Sequence, residues 1–271
     1  MTKTSQIEKL IKIISPYRVP YLYKYRSMDS SDAVKSLQDV FQKRRVFLND
    51  ATKFNDPFEC RPCLTIDGSS LTRAKFIKEL TKDRFPNATK GQIKKLMRGK
   101  TALLADKGRL KKPYGQFVTT VGIYCLSEKK DDLLMWAHYA DSHRGLCLEF
   151  KASEEGSLFW EALKVIYQND YPVVNMMRMV EPEEFRKALL TKSAIWAYEQ
   201  EWRILKVEDE GGPGNYFFPS EALTGVIFGA LMKSKDKEMV KDWLTTYPST
   251  VSVYQASLNG KEYQIDITKI S

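Results

Sequence analysis

Hydrophobic and polar positions alternate through Tyr21-Leu22-Tyr23-Lys24-Tyr25-Arg26, the period of two that sends successive side chains to opposite faces of a strand. Pro16 and Pro20 bracket a turn that sets this strand off from a short amphipathic helix expected over 7–15. Asp29 to Asp32 supplies N-cap residues for a helix over 34–42. Val46-Phe47-Leu48 reads as a second strand, closed by a turn at Phe54-Asn55-Asp56-Pro57-Phe58. The β-branched and aromatic stretch 118–127 reads as a strand, followed by a helix over 132–140 and a strand over 145–150. Glu181-Pro182-Glu183-Glu184 starts a helix that runs to about Ala197, and Glu201-Trp202-Arg203-Ile204-Leu205 again alternates like a strand. Beyond the turn at 211–214, strands are expected over 216–218, 225–228, 251–255 and 263–267. A helix near 235–244 and an Asn259-Gly260 hairpin signal complete the set. Helices inserted among strands, with no regular βαβ alternation and no repeats, predict an α+β fold in a single domain over 1–271.

Composition narrows the class. The chain has 271 residues, 43% hydrophobic and 28% charged, which fits a packed protein and excludes disordered, collagenous and coiled-coil readings. No apolar run approaches the ~18 residues of a membrane span, and the first ten residues lack the apolar centre of a signal peptide, so a cytoplasmic location is expected. Cys60-Arg61-Pro62-Cys63 has metal-ligand or redox spacing. It has no second pair, and His138 and His143 lie near Cys147 without a close-spaced partner motif, so four reduced cysteines and no metal are expected.

Charge changes the picture more. The formal charge is +9, yet Leu71 to Lys112 alone holds 14 basic and three acidic residues, a local +11. Phe76, Ile77, Leu80, Ile93, Leu96, Met97, Leu103 and Leu104 recur there at helical spacing, so 71–116 reads as a basic insert of two or three short amphipathic helices. Lysines and arginines on one surface neutralise phosphates and release counterions without reading bases. Nucleic acid, RNA above all, is therefore the expected partner of Lys94, Lys95, Arg98, Lys111 and Lys112, and Phe76, Phe85 and Tyr114 offer rings for stacking on unpaired bases. A solvated face that only keeps the chain soluble gives the same pattern.

No phosphate-cradling glycine motif is present, and Ser127, His138 and Asp131 occur without a nucleophile elbow. The informative run is Tyr198-Glu199-Gln200-Glu201-Trp202-Arg203. Strand alternation would put Glu199, Glu201 and Arg203 on one face, with a guanidinium holding a carboxylate ionised.

Tyr23-Lys24-Tyr25-Arg26, the FNDPF box (54–58), Cys125-Leu126-Ser127-Glu128, Met135-Trp136-Ala137-His138-Tyr139, Gly145 to Phe150 and Lys192 to Arg203 together resemble a widespread bacterial domain of unknown function over about 20–207, interrupted by the basic insert. The order of these elements is also similar to that of the ADP-ribosyltransferases. That resemblance implies a split mixed β-sheet core with inserted helices, and NAD as substrate without a metal. It implies catalytic roles for Glu201, Glu199 and Arg26, and NAD contacts from Arg26, Tyr25, Asn55, Ser127 and Tyr139. On this reading Glu201 holds the ribose hydroxyl, Arg26 clamps phosphates and Tyr139 stacks on nicotinamide, in a toxin-like enzyme of toxin–antitoxin or anti-phage systems whose further partner is an antitoxin protein. A non-catalytic nucleic-acid-binding module and an NAD glycohydrolase are the alternatives. Arg26 paired with Glu59, and Met135, Trp136 and Tyr139 as plain core, are the structural alternatives at single residues.

Overall fold

Eight strands of the computed structural model, in spatial order Ile265–Lys269, Ser252–Leu258, Leu223–Phe228, Leu146–Lys151, Tyr21–Arg26, Gly122–Ser127, Glu201–Lys206 and Leu163–Lys164, form one mixed sheet. The structure describes residues 19–97, 111–178 and 181–271. In chain order the strands are β1 (Tyr21–Arg26), β2 (Arg45–Leu48), β3 (Cys63–Thr65), β4 (Gly122–Ser127), β5 (Leu146–Lys151), β6 (Leu163–Lys164), β7 (Ile166–Gln168), β8 (Val173–Asn175), β9 (Thr191–Ser193), β10 (Glu201–Lys206), β11 (Gly214–Phe217), β12 (Leu223–Phe228), β13 (Ser252–Leu258) and β14 (Ile265–Lys269). Every pairing in the large sheet is antiparallel except β12 with β13, which is parallel across the helix Ser234–Thr245. Pairs β11–β2, β3–β8 and β7–β9 make three small satellites.

The period of two decides what each face of the sheet buries. Leu22, Leu148, Phe150, Trp202, Ile204 and Phe228 share one cluster with Leu37, Val40 and Phe41 of the helix Ser31–Lys43, whose N-terminus is capped by the Ser30 hydroxyl. On the opposite face Tyr23, Tyr25, Cys147 and Ile227 pack on Trp136 of the helix Leu133–Tyr139. Trp136 is fully buried, meets Tyr25 edge to face at 5.2 Å and donates its indole N–H to the Lys130 carbonyl, so the Met-Trp-x-His-Tyr box is in part core.

Several expectations shift. The helix begun by Pro182 ends at Leu189; Thr191–Ser193 is a strand and Ala194–Glu199 a 3-10 turn, which carries Lys192 into the interior instead of along a helix face. The first part of the stretch expected as a strand is the helix Lys111–Thr119, and β4 starts only at Gly122. This helix ends the basic insert as a core element: Val118 is buried, and the buried Tyr114 donates its hydroxyl to the Cys60 carbonyl, so Tyr114 is no stacking platform. The insert supplies the helices Ser70–Arg84 and Lys90–Met97, which lie against each other and bury Ile77 and Ile93 respectively, with Lys94 and Lys95 exposed. Lys111 is also exposed; Arg98, Leu103 and Leu104, and the helix expected over 7–15, lie outside the described residues. The last hairpin is longer than a two-residue turn, with Asn259 N–H bonding the Gln264 carbonyl.

Candidate functional site

A break in the central ladder opens a cleft with charged walls. β1 pairs with β5 at six positions, and β10 with β4 at six, but β1 meets β4 at Tyr23↔Ser127 alone. The inner edge of β4 finds other partners beyond that point. Lys24 Nζ reaches across to the Cys125 carbonyl at 2.7 Å, and Asn49 exchanges both backbone bonds with Ile123. Between the two edges opens a cleft of about 360 Å³, within the range of small-molecule sites. Lys24, Arg26 and Lys53 stand on its walls, with rings from Phe47, Phe54 and Tyr124.

At one end of the cleft three carboxylates meet two cations, all almost fully buried. Lys192 Nζ is 2.8 Å from Glu59 Oε1, 2.5 Å from Glu199 Oε2 and 2.9 Å from Glu201 Oε2, one carboxylate for each of its three N–H groups. Arg203 is wholly buried and its donors are just as fully used. Nε bonds Glu201 Oε1 at 2.7 Å, Nη2 bonds Glu59 and Glu201, and Nη1 bonds the Leu189 carbonyl and Cys60 Sγ. The backbone is pinned too. Gln200, at φ +42°, ends the 3-10 turn that carries Glu199, so β10 begins only at Glu201 and the expected strand alternation does not extend to Glu199; the Ser127 hydroxyl donates to the Glu199 carbonyl at 2.6 Å, and the Glu201 N–H donates to the Tyr167 hydroxyl at 2.7 Å.

Electrostatics separates the pair. Burial would raise both carboxyls, but Arg203 and Lys192 together outweigh it at Glu201 and hold that group well below the ordinary glutamate range. Glu199 has no guanidinium. Burial and the neighbouring Glu201 push it up against the opposing pull of Lys192 and the Tyr139 hydroxyl. Burial likewise pushes the Cys60 thiol up to about 11 and lowers the Lys24 ammonium from its ordinary value.

Residues 135–204 match a family model described as a protein of unknown function, DUF2971. The matched segment contains Lys192, Glu199, Glu201 and Arg203, most of the charged end of the cleft, and leaves β1 and the basic helices outside it. No curated protein matches the chain, and no solved structure does.

Of the residues singled out in the sequence, Arg26, Tyr25, Asn55, Ser127, Tyr139, Glu199 and Glu201 all line this cleft. Their contacts differ from the expectation in detail. Arg26 does not pair with Glu59; its guanidinium donates to Ser36 Oγ at 2.8 Å, and Glu59 goes to Lys192 and Arg203. Ser127 is fully buried, with its hydroxyl bonded to the Glu199 carbonyl and to the Lys129 N–H, so it fixes backbone rather than facing the cleft's contents. The Tyr139 hydroxyl donates to Glu199 Oε1 at 2.7 Å. Lys192 escaped sequence reading because it falls inside the run taken for one helix. Glu59, directly after the FNDPF box, is 142 positions from Glu201, too far for any local pattern to join them.

Proposed function

We propose that the cleft cleaves NAD and transfers ADP-ribose to a polyanionic acceptor, RNA in the first instance. One observation carries the reading: the residues expected from the resemblance to ADP-ribosyltransferases line a single cleft, with Tyr25 and Arg26 on β1, Ser127 on β4 and Glu201 on β10, neighbours in the sheet, and Asn55, Tyr139 and Glu199 on segments beside them. Tyr23↔Ser127↔Glu201 gives the register that aligns those strands. The chemistry of the walls is consistent with it. Lys24, Arg26 and Lys53 suit the pyrophosphate. The buried carboxylates suit a ribose that gains positive charge as its bond to nicotinamide breaks, a charge absent from the ground state. The exposed lysines of the insert suit a phosphate backbone. A toxin-like role, held in check by an antitoxin protein, fits an enzyme that consumes NAD and marks nucleic acid.

Incubation of the protein with labelled NAD and separate RNA, DNA and protein pools tests the reading. Label transferred to RNA supports it, nicotinamide release without transfer points to a glycohydrolase, and neither outcome in any pool sinks it. Arg26→Ala is expected to weaken NAD binding about 10- to 100-fold, the worth of charge-assisted hydrogen bonds to phosphate. A calorimetric dissociation constant equal to that of the wild type would place Arg26 outside the phosphate site. Reversal of Lys94, Lys95 and Arg98 to Glu is expected to weaken RNA binding and to lower its salt slope by about 0.7 for each single-strand phosphate no longer neutralised, with NAD binding unchanged. Equal RNA binding at low and high salt would reduce the insert to a solvated face.

A further inference from the structure

The two glutamates of the Glu-x-Glu run differ in the one property that decides whether a carboxylate can take a ligand, its unfilled acceptor capacity. An ionised carboxylate has about four lone-pair positions. At Glu201 three are taken, all by cationic donors: Arg203 Nε lies on Oε1, and Arg203 Nη2 and Lys192 Nζ on Oε2. A ribose hydroxyl arriving at Glu201 would compete with those buried cations, and displacing one would strand charge in the interior. Glu59 also has one donor on each oxygen, but both donors are the buried cations, Lys192 on Oε1 and Arg203 on Oε2, so a ligand there would compete with the charges that hold the cluster. Among the described residues Glu199 has one donor on each oxygen, the Tyr139 hydroxyl on Oε1 and Lys192 on Oε2, which leaves about two positions open while it lines the cleft. Asn55, from the FNDPF box, lines the same cleft as Tyr139 and Glu199.

We infer that Glu199, the first glutamate of the run, is the carboxylate that contacts the substrate sugar, and that Glu201, Lys192, Arg203 and Glu59 form a closed ion cluster that positions it. Resting on the NAD-cleaving reading, this fixes the division of labour. The bond from C1′ of the ribose to the nicotinamide nitrogen breaks, and neutral nicotinamide leaves with the bonding pair. The positive charge left on the sugar is stabilised by Glu199, which accepts a hydrogen bond from the adjacent ribose hydroxyl. The acceptor's lone pair closes the new bond at C1′, and the proton it sheds passes to solvent. Glu201 takes no part in these bonds; it holds Lys192, and Lys192 holds Glu199. Tyr139 is a positioning residue.

The test measures nicotinamide release, ADP-ribose affinity and thermal midpoint for E199Q, Y139F and E201Q. E199Q is expected to keep its midpoint within a few degrees, to lose more than ~100-fold in turnover, and to bind ADP-ribose about tenfold more weakly. Y139F is expected to lower turnover with little change in KM. E201Q is expected to lower the midpoint, since it opens the cluster. If E199Q releases nicotinamide like the wild type while a folded E201Q is inactive, the roles are the reverse and the inference falls with the NAD reading intact. If the wild type releases no nicotinamide but binds ADP-ribose, the transfer reading fails, and equal ADP-ribose affinity of E199Q and wild type then overturns the inference. A wild type that binds neither ligand overturns both.

Discussion

Arg203→Met is expected to cost roughly 3–5 kcal/mol of folding stability, the scale for breaking a buried ion pair by removing one partner. The guanidinium has no exposed surface, and its bonds tie β10 to the segment after the FNDPF box through Glu59 and Cys60, and to the end of the helix Pro182–Leu189 through the Leu189 carbonyl. Without it, Glu59 and Glu201 stay buried with Lys192 as the one remaining cation bonded to them among the described residues. Methionine fills much of the volume, so most of the loss is electrostatic rather than a cavity. The double variant E201L/R203M, which removes charge of both signs, is expected to lose less than the single one, because an apolar replacement avoids the uncompensated charge. Denaturant midpoints at pH 7 measure both. A single variant within about 1 kcal/mol of the wild type would mean that water reaches the cluster and that the site is not pre-organised by it.

The parts of this fold written in local periodicity were legible. β1, β5 and β10 alternate cleanly because each presents one apolar face to a helical layer, and Trp202 and Ile204 lie opposite Glu201 and Arg203 as the period of two requires. Where tertiary contacts override local preference, the pattern misled. The run 190–197 includes the helix formers Leu190, Lys192, Ala194 and Ala197, yet Leu190 and Lys192 are drawn into the second core and the ion cluster, and the chain goes over into β9 and a tight turn. β3, β6, β7 and β8 are two or three residues long, too short to show any period. The cleft residues were legible as a set through resemblance. Their division was not, since it depends on Glu59, Cys60 and Lys192 arriving from other parts of the chain.

Split pairing and charge cluster are physically one arrangement. A sheet that keeps β1 and β4 fully paired leaves no room for a ligand, and one that simply opens exposes backbone groups; here Lys24 and Asn49 satisfy the β4 edge while the cleft stays open. The carboxylates at its end would repel one another in an apolar setting, and the two buried cations hold them together within reach of the cleft.

Lys192→Met removes the centre of that arrangement, and its signature is a pH dependence. At pH 7 the loss is expected to be roughly 3–5 kcal/mol, since three buried carboxylates are left with Arg203, which does not bond Glu199. In the wild type Glu201 is held below its ordinary 4.5, so its contribution is fully present above that pH and fades as pH falls beneath it. In the variant Glu199 is without the one cation bonded to it among the described residues, while burial and Glu201 still push its carboxyl up. A raised folded-state value means that the native state takes up a proton more readily than the unfolded chain, so lowering the pH favours folding. The deficit of Lys192→Met relative to wild type is therefore expected to shrink between pH 7 and pH 5, above the range where Glu201 begins to weaken the wild type. Urea unfolding of both proteins at the two pH values measures it. A deficit that stays constant or grows toward pH 5 would mean that Glu199 is not held ionised by Lys192, and the ordering of the cluster around that lysine would have to be abandoned.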